Sequence, residues 1–310
     1  MNKKLTNSES KKLRKDLKIN NTSEGILINK ILSMISREVG KELKNVQTID
    51  ELQDAISKLS FKKLNQLIKV FGREILKKNK KGYEKIITAM VSTISNGALR
   101  KKQERVFSNA VHRLGKEERL YKPLLDIFTN NMSKIKNLPQ EAFDKLQKAY
   151  FRGEGFRAST LEKDLTNMLG KRAKTIIRTE SSKLNSALTE VRSRSIDVKG
   201  YRWSSSEDNR VRSSHGIMNG LFVFWTDPPK IDGEYYHAGN IYNCRCVPIP
   251  IIRIDDIQFP VRVAEHLVIT SKYDKQKKKT VSQITGGRIA TYTRAQFIDK
   301  FKHIFLESSK

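Results

Sequence analysis

Two short stretches hold most of the residues able to do chemistry. Asp208, Arg210, Arg212 and His215 lie in DNRVRSSHGIMNG, which closes on Asn219 and Gly220. His237, Asn243, Cys244, Arg245 and Cys246 lie in HAGNIYNCRC. Imidazole and thiolate are preferred zinc donors, so His215, His237, Cys244 and Cys246 form a candidate zinc set. The spacing opposes it, because structural zinc sites usually take their paired thiolates from C-x(2–4)-C knuckles and this word is C-x-C. One Cys with His215 and Asp208 is a second arrangement, leaving a position open for water. A metal-dependent nuclease is the catalytic alternative: His215 would activate water, and His215, Asn219 and His237 follow one another in a loosely HNH-like order. The second carboxylate of a two-metal site is not evident, and Cys–His nucleophilic catalysis lacks an activating context. The reading preferred from the residues is a structural one, a buried hydrogen-bonded cluster that holds a small domain together and catalyses nothing.

Such a cluster needs elements to position it. Arg178, Thr179 and Glu180 fall mid-helix in TLEKDLTNMLGKRAKTIIRTESSKLNSALTEVRSRSI, with Asn185 about two turns on; Ser159 and Thr160 are suited to cap this helix and Gly170 to interrupt it. Charge-assisted bonds from Arg178 and Glu180 would fix the helix to neighbouring strands, and a catalytic carboxylate is the alternative. The texture then changes. VKGYRWSSS, which carries Trp203, LFVFWT and NCRCVPIPIIRI are short, aromatic or β-branched, and separated by turn residues, so they read as strands. Asp208–Arg210 reads as a polar turn and Val211–Met218 as a turn of helix presenting His215. Asn219 and Gly220 end that helix, since both tolerate the left-handed conformation.

Before this region the chain is helical. GILINKILSMISREVGKEL spaces Ile26, Leu27, Ile31, Leu32, Ile35 and Val39 helically, and TIDELQDAISKLSFKKLNQLIKVFGREILKK continues after a cap near Thr48. Further helices cover YEKIITAMVSTISNGALRKKQERVFSNAVHRL, Glu117–Met132 with Pro123 near its start, and QEAFDKLQKAYFR after Pro139, before Gly153 and Gly155. After the motif region come a strand in AEHLVIT, the solvated run KYDKQKKK, a turn at Gly286 and Gly287, and a helix in TRAQFIDKFKHIF. That last helix sets Phe297, Ile298, Phe301, His303 and Phe305 on its apolar side. The fold class is α+β. A basic flexible arm (1–20) and an extended, mostly helical region (21–171) precede a small α+β domain (172–252) and a short strand and helix extension (253–310).

Composition limits the function classes. With 61 Lys and Arg against 33 Asp and Glu, the net charge is +28, which calls for an anionic partner, nucleic acid first. No run approaches the roughly 20 apolar residues of a membrane span, and the charged start has no apolar core after it, so the chain is expected in the cytoplasm. Two Cys one residue apart exclude a disulfide framework and are expected as reduced or metal-bound thiols.

In order, RTESSKLNSA (178–187), YRWSSSEDNRVRSSHGIMNG (201–220), a Pro-containing loop and NCRCVPIP (243–250) resemble the phage Mu protein F-like family of minor head and head-morphogenesis proteins. The likeness covers about residues 172–250. It departs before NCRC, where many members carry a Pro-Gly-His-like stretch and this chain has HAGNIYNCRC, with His237 displaced upstream. It implies a low-copy virion component at the capsid interior or portal vertex, present in the bacterial host cytoplasm during assembly. Its partners would be the portal protein, other head proteins and double-stranded DNA held through phosphates, and it would act in head morphogenesis and genome packaging or delivery. The family's domain also occurs fused to carboxyl-terminal toxin domains; the residues after NCRC are few for one and show no catalytic set.

Overall fold

A computed structural model describes residues 21–92, 97–116, 118–152 and 158–306. The basic arm expected at 1–20, and Gly153 and Gly155, lie outside the described residues. The chain forms two compact units. One takes its described residues from Asn20–Ile75 and Pro123–Ser181, the other from Leu76–Lys122 and Ser182–Lys310.

The first unit is helical. It contains α1 (Asn21–Leu43), α2 (Ile49–Lys58), the start of α3 (Leu64–Val91), most of α5 (Glu118–Ser133), a 3-10 turn at Lys134–Asn137, α6 (Leu138–Phe151) and the first part of α7 (Ala158–Ser195). The buried stripe of α1 runs through Leu27, Ile28, Ile31, Met34, Ile35 and Val39; Ile26, expected in it, faces outward. Thr48 caps α2 through a reciprocal box: its hydroxyl accepts from Glu51 N–H and the Glu51 carboxylate accepts from Thr48 N–H. The sequence from Thr48 to Lys78, expected as one helix, breaks at Leu59, whose extended backbone ends α2; α3 then continues to Val91 and takes in the start of the next expected helix. Ser159 and Thr160 lie inside α7 rather than capping it, and α7 passes through Gly170 without interruption. A side chain at Gly170 would meet Leu32 at 3.0 Å, so this glycine serves close helix packing instead of a break.

The second unit carries the sheet together with α4 (Gly97–Lys116), α8 (Ser213–Met218) and α9 (Arg294–Leu306). Its strands are β1 (Gly200–Ser204), β2 (Phe222–Phe224), β3 (Lys230–Ile231), β4 (Glu234–Tyr235), β5 (Val247–Ile251), β6 (Val261–Asp274) and β7 (Lys279–Tyr292). The order is β4-β3-β6-β2-β1-β5, with β7 antiparallel to β6. β1 lies antiparallel between β2 and β5, whereas β6 runs parallel to both β2 and β3. The segment expected as an extension thus supplies an interior strand.

Strand alternation builds a core on each face. Tyr201, Trp203, Val223 and Trp225 turn to one side with Leu267 and Ile269 of β6. Phe222 and Phe224 turn to the other, where Val261, Val263, Phe297 and Phe301 cover them. Thus α9 packs through Phe297 and Phe301, while Ile298, expected on that apolar side, is exposed; the side chains of His303 and Phe305 lie outside the described residues. The change of face along β6 is made by a bulge between Glu265 and Val268, where His266 has φ 45° and, across the ladder, Gly287 has φ 62°. Gly286 and Gly287 therefore belong to the interior of β7. The hairpin turn lies in 275–278, within the expected solvated run.

Candidate functional site

On the Trp203 face of the sheet, α8 and the segment entering β5 meet. Arg212 occupies the cap position of α8 and donates to the Tyr242 carbonyl at 2.8 Å, fastening the helix start to the second stretch. Asn219 ends the helix with φ −59°, not in the left-handed region; only Gly220 takes that conformation, at φ 80°. Asn219 acts through its side chain, accepting from Ser205 N–H at 2.9 Å and donating to Glu207 at 3.3 Å. Gly220 N–H donates to the Trp203 carbonyl at 2.8 Å, and Trp203 N–H to the Leu221 carbonyl at 2.9 Å, so the helix exit is tied to β1.

The expected polar turn forms: the Asp208 carboxylate accepts from Arg210 N–H at 3.1 Å. The same carboxylate receives a two-point bond from the Arg245 guanidinium at 2.5 and 2.7 Å, which locks the residue between the two cysteines to this turn. The Arg210 guanidinium comes no closer than 3.9 Å and is exposed. Hydrogen bonding from Arg245 holds the Asp208 carboxyl down at about 2, against an ordinary 3.8. A carboxylate lowered on folding stabilises the native state above its unfolded value and loses that contribution as pH falls toward the folded one. Stability should therefore decline between about pH 4 and pH 2 more steeply in the native protein than in Asp208→Asn, a difference readable in melting temperature against pH. Superimposable acid limbs would show that the pair contributes nothing.

His215, Cys244 and Cys246 form the buried centre, with their donor atoms all within 4.8 Å of one another. His215 Nδ1 lies 3.5 Å from Cys244 Sγ and 3.4 Å from Cys246 Sγ. Its Nε2 lies 3.1 Å from the Tyr236 hydroxyl. Cys246 N–H donates to Cys244 Sγ at 3.4 Å. The two residues lie in the segment entering β5, and both sulfurs reach one imidazole. Interaction with Cys246, and then with His215, holds the Cys244 thiol well below its ordinary value despite burial. Asn243, just before, takes φ 50° and turns the chain into this segment.

His237 does not join them. Its Nδ1 lies 3.1 Å from the Tyr201 hydroxyl, its Nε2 is 3.9 Å from Glu190, and its ring stands edge-on to Trp225. Burial keeps it below its ordinary pKa. The four-residue zinc set and the His215–Asn219–His237 order thus have no common centre. Asp208 binds Arg245 instead of joining His215.

The upstream word also divides. Arg178, exposed on α7, pairs with Glu24 of α1 at 3.3 Å, and Glu180 accepts from Asn131 of α5 at 2.8 Å. Both bonds join helices, where strands were expected. Asn185 is buried and accepts from Asn79 of α3 at 2.8 Å. Asn79 also accepts from Arg192, a buried guanidinium stacked over Tyr121. Sequence reasoning missed Arg192, Tyr201, Tyr236 and Gly239. The last has φ 86°, and a side chain there would lie 2.9 Å from the Cys246 carbonyl. Its place in HAG was the available signal.

Residues 141–249 match the family described as Phage Mu protein F like protein. Over 157 residues the chain is 33% identical to an uncharacterized protein of Haemophilus influenzae, a stretch covering 48% of this chain and 33% of that one. The chain thus spans about a third of the length of that curated relative. No solved structure matches it. Every residue of the buried centre falls within the segment that matches the Phage Mu protein F like family.

Proposed function

We propose that this is a bacteriophage or prophage minor head protein, a low-copy virion component that associates with the portal and packaged DNA in head morphogenesis and in genome packaging or delivery. The observation that carries this reading is the family match over residues 141–249. The net charge of +28 supports a place beside DNA, since phosphate contacts by Lys and Arg bind a duplex without base readout. Within α3, Lys77 and Lys81 lie a turn apart on the helix and offer such contacts. No helix among the described residues is long and apolar enough to cross a membrane.

The burial of His215, Cys244 and Cys246 favours a scaffold over the nuclease alternative, because a scissile phosphate must reach the metal and the general base. The test has two arms. Heads assembled with and without portal protein are sedimented and probed for this chain: retention only where portal is present supports the reading, and absence from both overturns it. Purified protein is also mixed with duplex DNA over a salt series, with EDTA or with Mg²⁺, Mn²⁺ or Zn²⁺. Retention that falls with salt, without cutting, is expected; metal-dependent cutting lost in His215→Ala would put the enzyme first.

The same assay separates two sets of residues. Reversing Lys77 and Lys81 to Glu should weaken DNA retention by about tenfold or more at low salt and leave melting nearly unchanged. His215→Ala should do the opposite. Equal small effects from both variants would contradict the division.

A further inference from the structure

We propose that Cys244 Sγ, Cys246 Sγ and His215 Nδ1 bind a structural zinc ion, which clamps α8 to the segment entering β5. The inference rests on the geometry of these side chains and does not depend on the head role.

Three observations carry it. The first is the distance set. Zinc at about 2.3 Å from sulfur and about 2.0–2.1 Å from imidazole nitrogen, at a tetrahedral angle, separates S and N by about 3.5 Å. The two measured separations are 3.5 and 3.4 Å, both to one nitrogen. A neutral imidazole nitrogen has a single in-plane lone pair and so accepts one S–H well, not two. Two sulfurs equidistant from it are better explained by a cation among all three.

The second is the supporting shell. Metal-bound His residues use one ring nitrogen for the metal and donate the other N–H to a fixed partner. Here Nε2 faces the Tyr236 hydroxyl at 3.1 Å, which leaves the Nδ1 lone pair for the sulfurs. The Cys246 N–H donates to Cys244 Sγ at 3.4 Å, a bond that stabilises thiolate. The third is preorganisation. Arg245, between the two ligands, is held by the Asp208 turn, and Arg212 of α8 is held to Tyr242, so both ligand-bearing segments are fixed by bonds outside the cluster.

Two thiolates and an imidazole select zinc over magnesium, calcium or manganese. Among the described residues no fourth His, Cys, Asp or Glu joins the group. His237 is assigned no part, being engaged with Tyr201.

The full chain is purified under reducing conditions from zinc-supplemented cells and its metals are counted by mass spectrometry. About one zinc per chain is expected, and cobalt exchanged into the site should give a thiolate-to-cobalt charge-transfer band. Cys244→Ser, Cys246→Ser and His215→Ala should each lower the zinc content to near zero, and His237→Ala should leave it unchanged. Should the ligand variants fail to fold, Tyr236→Phe keeps the ring and removes the supporting hydroxyl; its zinc affinity, read by competition with a chelator, should fall about 10–100-fold. Folded native protein that lacks zinc and whose thiols react equally fast with and without chelator would overturn the proposal. So would a Cys244–Cys246 disulfide, zinc retained by all the folded ligand variants, or zinc affinity unchanged in Tyr236→Phe.

Discussion

Gly287→Ala should cost at least about 3 kcal/mol of unfolding free energy and loosen the β6–β7 ladder around the bulge. Two effects add at this position. Its φ of 62° is a conformation that costs an L side chain about 1–2 kcal/mol. A Cβ there would also lie 2.1 Å from the His266 carbonyl oxygen and 2.5 Å from that of Glu265, backbone atoms that cannot swing aside. The bulge is what lets β6 serve two cores, Val261 and Val263 on one face and Leu267 and Ile269 on the other. A register slip that removed it would turn one of these pairs to the wrong side. Denaturant unfolding measures the loss, and amide exchange along 261–269 should show it concentrated at the bulge. An alanine variant as stable as the native protein would mean that the ladder has another register available.

Trp203→Ala should be of similar size, about 3–5 kcal/mol, as expected for emptying a large buried aromatic site. Trp203 is fully buried, and its ring packs against Tyr201, His215 and Tyr236 at centroid distances of 6.4, 5.7 and 6.5 Å. These neighbours position the imidazole, so the variant should also expose Cys244 and Cys246. Their reaction with a thiol reagent in native buffer should speed up well before global unfolding. Loss of stability with unchanged thiol reactivity would separate the core from the cluster.

How much of this was legible depended on the range of the interaction. The strands at VKGYRWSSS, LFVFWT and NCRCVPIP form at β1, β2 and β5 because aromatic and β-branched alternation is local. The Thr48 cap and the polar turn at Asp208 likewise use side chains within a few residues of their partners. Glycines were read less well: Gly170 and the Gly286–Gly287 pair suggested breaks, but their roles are close packing and a bulge, set by elements distant in sequence.

The site followed the same rule. The C-x-C spacing argued against a knuckle, yet both sulfurs converge on His215. His237 shares a stretch with the cysteines but turns to Tyr201 and Trp225, and no spacing rule distinguishes those outcomes. Tyr236, which orients His215, gave no signal beyond its place before His237.

The interior position of β6 bears on how the protein is made. β2 pairs with β1 early in the chain, but its other edge waits for Val263, and Phe222 and Phe224 wait for Phe297 and Phe301. A ribosome that has released only the stretch through β5 therefore presents a nascent sheet with an open edge and two uncovered aromatic rings. The matched segment ends at residue 249, before either partner has been synthesised. A fragment cut at the signature's end lacks both partners and should associate with chaperones or with itself.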